Sequence, residues 1–466
     1  MPSRRKTRRP RAAPRGLTKE RARPSGAVAA TLVFICIAYI AIAAAYALTI
    51  PFGQTPDESA HLPFVAYIAE HGHLPVFSPT QGSYEYHQAP LYYAMAAPAF
   101  LIGRAVAHDN AYLAVRLFGI VFGLCAIIFT YLLARELCPA RAWLALAAAG
   151  FVAFLPMQVA LSAAVTNDVA AEAPVAAGLW QVVVAMRDGW RWRRVVALGA
   201  LCGLATLMKS SGIVLLPVAW LALTLLLAAQ PSSAAILGRR DACPTARNRD
   251  DGGRGARFAG PAARLTALTV IALFVCGWWL ARNWRLYGDP LATRAFVEAF
   301  GTSRPTPGSI MSRYNLTRLS YAIWVMQWTF ASFWGVFGNM RVFMPTWSVY
   351  APLLAVSAGA AGGLARELGD SRGWEAWRRQ AIWPLALAAI LVLAAFALFN
   401  VSFFQAQGRY LFQALPVVAV ALVAGWGRLF PTSARSAGYT ILWLALMALS
   451  ALALPLWVLP ALAPAR

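Results

Sequence analysis

The sequence predicts an all-α integral membrane protein of about eleven transmembrane helices, twelve being the alternative count, with juxtamembrane helices in its first exterior loop. Three observations lead there. Of its 466 residues, 60% are hydrophobic and only 13% are charged, whereas soluble domains are nearer half apolar and a quarter charged. The apolar residues fall in blocks long enough to cross a hydrocarbon core of about 30 Å, which takes around 20 residues of helix. The basic residues cluster in the N-terminal stretch and in short loops between those blocks, the pattern of cytoplasmic loops. A chain in lipid must satisfy its own backbone hydrogen bonds, so the blocks are helices or a closed barrel, and unbroken apolar runs exclude alternating barrel strands.

The formal net charge of +23 raises a nucleic-acid reading, which the distribution of charge argues against. Met1 to Gly26 holds ten basic residues and one acid, a basic tail expected in the cytoplasm. Such a tail is a topology signal that also suits anionic headgroups. Ala27 to Ile50 follows without a charge for 24 residues, longer than the roughly 7–15 residues of a signal-peptide core, and so reads as an uncleaved anchor. The six cysteines fall in expected spans or cytoplasmic loops without metal-ligand spacing.

The elements follow in order. Span one is Ala27 to Ile50, and residues 51–110 form a long exterior loop. Spans two to four are expected near Tyr112–Ala134, Trp143–Leu161 and Val169–Met186. Val195–Met208 and Ile213–Ala229 form a hairpin that turns at Lys209-Ser210-Ser211-Gly212. Residues 231–264 are rich in Gly, Arg and Asp and read as a disordered cytoplasmic linker. Span seven is Leu265–Ala281, and residues 282–350 form a second exterior segment. Within it Tyr321–Phe337 is expected along the interface, with Trp324, Trp328 and Trp334 at headgroup level, because a crossing there would turn the Arg-rich stretch 366–379 outward. Ala351–Leu364, Ile382–Phe399, Tyr410–Ala424 and Tyr439–Leu459 complete the set. The membrane domain thus runs over 27–460, with no soluble domain and no convincing repeat.

Ionisable groups at membrane depth or at its edge are costly and usually serve a purpose. On this topology five places carry them on the exterior side. The first is Thr55-Pro56-Asp57-Glu58-Ser59-Ala60-His61. Thr55 and Glu58 have capping-box spacing and Pro56 suits a first helical position, which predicts a helix from Pro56 to about Glu70, kinked near Pro63. The same helix would hold Asp57 at the lipid boundary, with His61 one turn away, where an acid could take a proton from an acceptor hydroxyl. The second is Tyr84 to Tyr93, which packs Glu85, His87 and Gln88 among tyrosines. Such rings suit an interface, and they also suit the face of a sugar. His61, Glu85 and His87 could together hold a divalent metal, although no local ligand spacing supports it. The third is Asn167-Asp168, a helix start, with Glu172 one turn into the span. The fourth is Lys209, which either snorkels or points inward from a short span. The fifth is a pair of arginine motifs, Arg282 to Pro290 and Gln405 to Tyr410, with Gln407, Arg409 and Tyr410 in the second. Arginines on the side that the positive-inside rule disfavours point to an anionic ligand.

At these residues the chain resembles the GT-C superfamily of membrane glycosyltransferases, which includes protein O-mannosyltransferases and lipid A aminoarabinose transferases. It looks most like a related group of bacterial membrane proteins of unassigned function. The resemblance rests on Asp57, Glu58 and His61, on Glu85 to Tyr93, on Asn167-Asp168, on Arg282 to Pro290 and on Gln407 to Tyr410, in consistent order from about Ala27 to Ala424. His87-Gln88-Ala89-Pro90 stands where the better-known transferases commonly carry a Lys-Pro-Pro type segment, so donor and acceptor do not carry over. The resemblance implies inverting transfer from a polyprenyl-phosphate-linked sugar to an exported cell-envelope acceptor, at the exterior face of a bacterial plasma membrane. Asp57 and Glu58 would be the catalytic pair. Arg409, Arg282 and Lys209 would stabilise the leaving phosphate, and His61 and Glu85 would orient Asp57 or bind sugar hydroxyls. No nucleotide is required and no cofactor is expected beyond the metal alternative. Two other readings stay open: a transporter or flippase of a lipid-linked saccharide, and an O-antigen ligase or polymerase. Against the second, the loop from Arg282 to Tyr350 holds no histidine.

Overall fold

The computed structural model describes residues 25–78, 80, 82–228, 260–301 and 304–463. The tail expected over 1–26 and the linker expected over 231–264 lie outside the described residues, apart from 25–26 and 260–264. Cys243 lies outside them too. The five described cysteines are all unpaired.

The described residues are helical almost throughout. In order the helices are α1 (Gly26–Thr49), α2 (Glu58–His71), α3 (Leu91–Ala107), α4 (Ala111–Leu137), α5 (Ala142–Phe154), α6 (Pro156–Ser162), α7 (Asp168–Asp188), α8 (Trp192–Met208) and α9 (Leu215–Ala228). From residue 260 onward come α10 (Pro261–Tyr287), α11 (Thr293–Phe300), α12 (Pro307–Tyr314), α13 (Arg318–Trp334), α14 (Ala351–Gly369), α15 (Ala376–Ser402), α16 (Leu415–Gly427), α17 (Arg435–Ala453) and α18 (Leu459–Leu462). A two-residue strand pairing, Val336–Phe337 against Val342–Phe343, follows α13. Among the described residues eight helices are long and apolar enough to cross a membrane, one of them running through α3 and α4. A ninth results if α5 and α6, bent by 59°, count as one span. The two other expected spans coincide with α8 and α9, which are 17 and 14 residues long. Large apolar side chains face outward along the long helices: Phe274 on α10 is 86% exposed, and Leu398 on α15 72%. That is the surface of a multi-pass membrane protein, with lipid as its outer solvent.

Helix α5 is the centre. It is apolar all round, which marks a fully buried helix, and Leu144 to Phe154 are all buried. It packs against α1, α4, α16 and α17. The Leu155-Pro156 step ends it, because the residue before proline is driven out of the helical region, and Leu155 is extended at φ −67°, ψ 117°.

Charged side chains collect at the two ends of the bundle. Helix α7 spans 21 residues, about 30 Å, from Asp168 to Asp188. At its far end Arg187 pairs with Glu136 of α4 and with Asp188. At the corresponding ends of α14 and α16, Glu367 receives Arg141 at 2.7 Å and Arg428 at 2.5 Å. The near end of α7 holds Asp168 and the groups described below.

Helix α13 is too short to be among the span-length helices and packs its small face on the 406–408 segment. The Ser332 hydroxyl receives the Gly408 amide at 2.7 Å. A Cβ at Gly408 would run into the Phe333 backbone, so only glycine lets the two segments meet. Trp334, expected at headgroup level, is instead buried, its ring 5.7 Å from that of Phe151 on α5. A large ring at the end of a helix that touches the core gains more from packing than from an interfacial position.

Candidate functional site

The first loop folds back over the near end of the bundle around one buried ion pair. Arg116, inside α4, donates from Nε to Glu58 Oε1 and from Nη2 to Glu58 Oε2, each at 2.7 Å. Both side chains are fully buried. The same guanidinium caps the end of α1, with Nη1 donating to the carbonyls of Ala47 at 2.8 Å and Ile50 at 2.7 Å. Glu58 also receives the amides of Gly53 at 2.9 Å and Val165 at 3.2 Å. One carboxylate therefore ties the end of α1, the start of α2 and the segment leading into α7 together.

This arrangement corrects the capping-box expectation. Helix α2 starts at Glu58, not Pro56, and its cap residue is Asp57, which makes no side-chain cap bond. The Thr55 hydroxyl is buried and, among the described residues, has no partner. A carboxylate facing a buried guanidinium makes charge-assisted bonds stronger than a cap, and the chain turns to allow it. As a result Asp57 sits in the left-handed region, φ 59° and ψ 6°, a conformation that Asp tolerates better than most residues. Pro63 lies inside α2 and Gly72 ends it, as the sequence implies.

The turn at Asp57 aims its carboxylate at Arg409. Nη2 of Arg409 donates to Asp57 Oδ2 at 2.5 Å, and Nη1 donates to Asp168 Oδ2 at 3.0 Å. Lys209 pairs with the other Asp168 oxygen. Arg409 Nε donates to Gln407 Oε1 at 2.7 Å, and the guanidinium lies 5.0 Å from the Tyr410 ring centroid. Four charges from four distant parts of the sequence thus form one chain: Asp57, Arg409, Asp168, Lys209. The Tyr84 hydroxyl donates to Asp57 Oδ1 at 2.8 Å. Burial alone would raise the Asp57 carboxyl, but the Arg409 guanidinium and the Tyr84 hydroxyl outweigh it and hold Asp57 well below the usual carboxylate range.

Tyr84 opens a short 3-10 turn, Tyr84–His87, whose start is fixed by Ser83. The Ser83 hydroxyl accepts the Glu85 amide at 3.2 Å and donates to the Ala60 carbonyl at 2.5 Å. Glu85 is buried, and among the described residues its Oε2 has no partner. Burial pushes its carboxyl above the ordinary glutamate value. His87 donates from Nδ1 to the Tyr84 carbonyl at 2.7 Å. Burial pushes it down to about 4, so its ring is neutral near pH 7.

These groups line one side of a cavity of about 670 Å³. Asp57, Glu85, His87, Gln88, Asp168, Lys209, Gln407, Arg409 and Tyr410 all reach it. The rest of the lining is largely apolar and comes mainly from α11 and α15, with Phe296, Phe396, Phe399 and Phe403 prominent. Phe296 lies 6.1 Å from Phe403 and 5.0 Å from His87, ring centre to ring centre, so aromatic surface runs from the polar groups to α15.

Four candidate residues stand elsewhere. Glu58 is spent on Arg116. His61 is buried, its Nδ1 bonded to the Tyr93 hydroxyl at 2.8 Å. Arg282 donates to the Pro75 carbonyl at 2.6 Å and holds the first loop rather than facing the cavity. Glu172 is buried in the core, where Gln158 donates to it at 2.5 Å. The metal alternative at His61, Glu85 and His87 does not fit: among the described residues no three His, Cys, Asp or Glu side chains converge as ligands. The two imidazoles are turned to a tyrosine hydroxyl and a backbone carbonyl instead.

Sequence reasoning missed two residues. Arg116 lies inside an expected span, and a charge at that depth is itself a signal. Arg304 also lines the cavity, and nothing in its local sequence distinguishes it from neighbouring loop arginines.

Residues 87–237, less than half of the chain, match the family model for dolichyl-phosphate-mannose-protein mannosyltransferase. No curated protein sequence matches. Among solved structures, the oligosaccharyltransferase of Archaeoglobus fulgidus tethered with an acceptor peptide aligns with a TM-score of 0.52 and 16% identity, over 92% of this chain and 55% of that one. The same organism's AglB, in complex with an inhibitory peptide and a dolichol-phosphate, gives 0.51 and 15% over 91% and 55%. ArnT from Cupriavidus metallidurans bound to undecaprenyl phosphate gives 0.49 and 15% over 94% and 74%. The chain spans about half the length of the oligosaccharyltransferase structures it matches. Its fold is that of the GT-C superfamily of polytopic membrane glycosyltransferases.

Proposed function

We propose that this protein is a membrane glycosyltransferase that moves a sugar from a polyprenyl-phosphate donor to an exported cell-envelope acceptor, with inversion at the anomeric carbon. The observation that carries the reading is the chain Asp57–Arg409–Asp168–Lys209 on the wall of a cavity whose remaining lining is largely apolar. A lipid phosphate needs both halves: cations for its headgroup and an apolar route for its tail. Further support comes from the fold and from the dolichol-phosphate named for one solved structure of like fold. The cavity lies at the end of α7 opposite the Arg187 cluster. By the positive-inside rule that end faces the exterior and the N-terminal tail faces the cytoplasm.

In this reading the acceptor oxygen attacks the anomeric carbon as Asp57 takes its proton, and the bond from that carbon to the phosphate oxygen breaks. The polyprenyl phosphate leaves with the electron pair, and cationic side chains stabilise the charge that develops on it. Asp57 is a weak base while Arg409 holds it. As the leaving phosphate gains charge it competes for the guanidinium, and Asp57 recovers basicity as the proton must move. Glu58 and Arg116 act through Asp57 by fixing its turn and are positioning residues. Gln88, Gln407, Tyr410 and the neutral His87 offer hydrogen bonds to sugar hydroxyls.

The test is the Asp57→Asn protein reconstituted with a lipid extract that carries polyprenyl-phosphate sugars. The transferase reading expects turnover to fall at least a hundredfold, with binding of lipid phosphate kept. Undiminished sugar transfer by the variant would overturn it. Undiminished lipid translocation, with no transfer by wild type, would favour the flippase reading.

A further inference from the structure

The two cations at the centre of the site are already committed. Arg409 is shared between Asp57 and Asp168, and Lys209 is paired with Asp168. Two positive and two negative charges leave that cluster neutral, with little pull on an incoming anion. Arg304 differs. It lines the same cavity, and among the described residues no carboxylate pairs with it. Its guanidinium lies 5.5 Å from the Tyr84 ring centroid and 5.4 Å from that of Phe300. Aromatic faces hold a guanidinium in place and leave its N–H edge free. Tyr84 is also the residue whose hydroxyl holds Asp57. Phe300 continues the other way, 5.0 Å from Phe296, into the apolar wall. Arg304 therefore stands where the polar and apolar halves of the cavity meet.

We infer that Arg304 is the docking residue for the phosphate of the lipid-linked donor, engaging it before Arg409 and Lys209 are drawn from their carboxylates. The inference rests on the proposed polyprenyl-phosphate reading and adds the residue that first receives the headgroup. The guanidinium fork presents parallel donors that suit phosphate oxygens, and the phenylalanines of α11 and α15 receive the first isoprene units of the tail. The neutral cluster behind it then serves the later step, when the leaving group gains charge.

The experiment uses the full chain in phosphatidylcholine nanodiscs and three probes: farnesyl phosphate, farnesol and inorganic phosphate. Wild type is expected to bind farnesyl phosphate more tightly than either of the others. Arg304→Gln is expected to weaken farnesyl phosphate about tenfold or more, the range of a charge-assisted bond, and to leave farnesol unchanged. Arg304→Lys is expected to keep most of the phosphate preference. If wild type prefers farnesyl phosphate and Arg304→Gln keeps that preference in full, the role of Arg304 is overturned while the donor reading stands. If wild type does not distinguish farnesyl phosphate from farnesol, both fall. Inorganic phosphate binding as tightly as farnesyl phosphate would mark a free-anion site and overturn the inference. Should Arg304→Gln lose farnesol as well, Arg304→Lys decides: loss of the phosphate preference with farnesol binding kept contradicts the role.

Discussion

Arg116 and Glu58 form a fully buried ion pair, 2.7 Å between Nη2 and Oε2, at the corner that turns Asp57 toward Arg409. Removing one partner leaves a buried charge without compensation. Glu58→Leu or Arg116→Met alone is expected to cost about 3–5 kcal/mol. The Glu58→Leu/Arg116→Met double variant should recover part of that, because both charges go together. Thermal inactivation in detergent measures the cycle. Additive losses in the double variant would contradict the pairing. Since Glu58 also receives the Val165 amide, the variants should lower turnover more than donor affinity.

How much of this was legible in the sequence differs by residue. The apolar blocks mark where helices run, because backbone groups in lipid have no other partner. Asp57, Lys209 and Arg409 stand out as ionisable groups expected at the membrane edge, and all three reach the cavity. The Glu58–Arg116 pair was not legible. Thr55 and Glu58 have the spacing of a cap, and only the folded chain brings in a guanidinium from 58 residues away. Arg282 and Arg304 both lie in the segment 282–350. Which of them faces the cavity depends on a bond to the Pro75 carbonyl, more than 200 residues off in sequence. Local pattern reports what a residue can do, and the partner that decides comes from elsewhere in the chain.

His87 gives a pH dependence with a definite sign. Its folded value of about 4 lies below its ordinary 6.5. Between those values the unfolded chain binds a proton that the folded chain does not, so stability rises with pH across that window. Wild type should lose on the order of 1–2 kcal/mol from pH 7 to pH 5 through this group. His87→Gln should lose less over the same interval. Parallel melting curves at the two pH values for both proteins would contradict the burial of a neutral ring.

The Asp57 carboxyl acts in the same direction, at lower pH. Held low by Arg409 and Tyr84, it stays ionised through mildly acidic pH, and its stabilising contribution is lost only as pH falls below the ordinary carboxylate range. Tyr84→Phe removes one of the groups that hold it down. The acid limb of turnover should then move to higher pH in Tyr84→Phe, measured as kcat against pH. An unmoved limb would contradict the bond as a determinant of Asp57.

Gly408 is the point where α13 and the Arg409 turn touch. Gly408→Ala would press its methyl into the Phe333 backbone. The expected cost is about 1–3 kcal/mol, typical of overpacking, with turnover reduced because Arg409 is the next residue. Gly362, whose added Cβ would meet nothing, is the control. Gly362→Ala should leave turnover unchanged.

In the proposed function Asp57 carries sugar transfer to an envelope acceptor. The decisive measurement is mass spectrometry of envelope glycans from a deletion strain, complemented with wild type or with Asp57→Asn at matched membrane abundance. One glycan species is expected to disappear on deletion, to return with wild type and to stay absent with Asp57→Asn. Return of that species with Asp57→Asn would contradict it, and so would an envelope unchanged by the deletion.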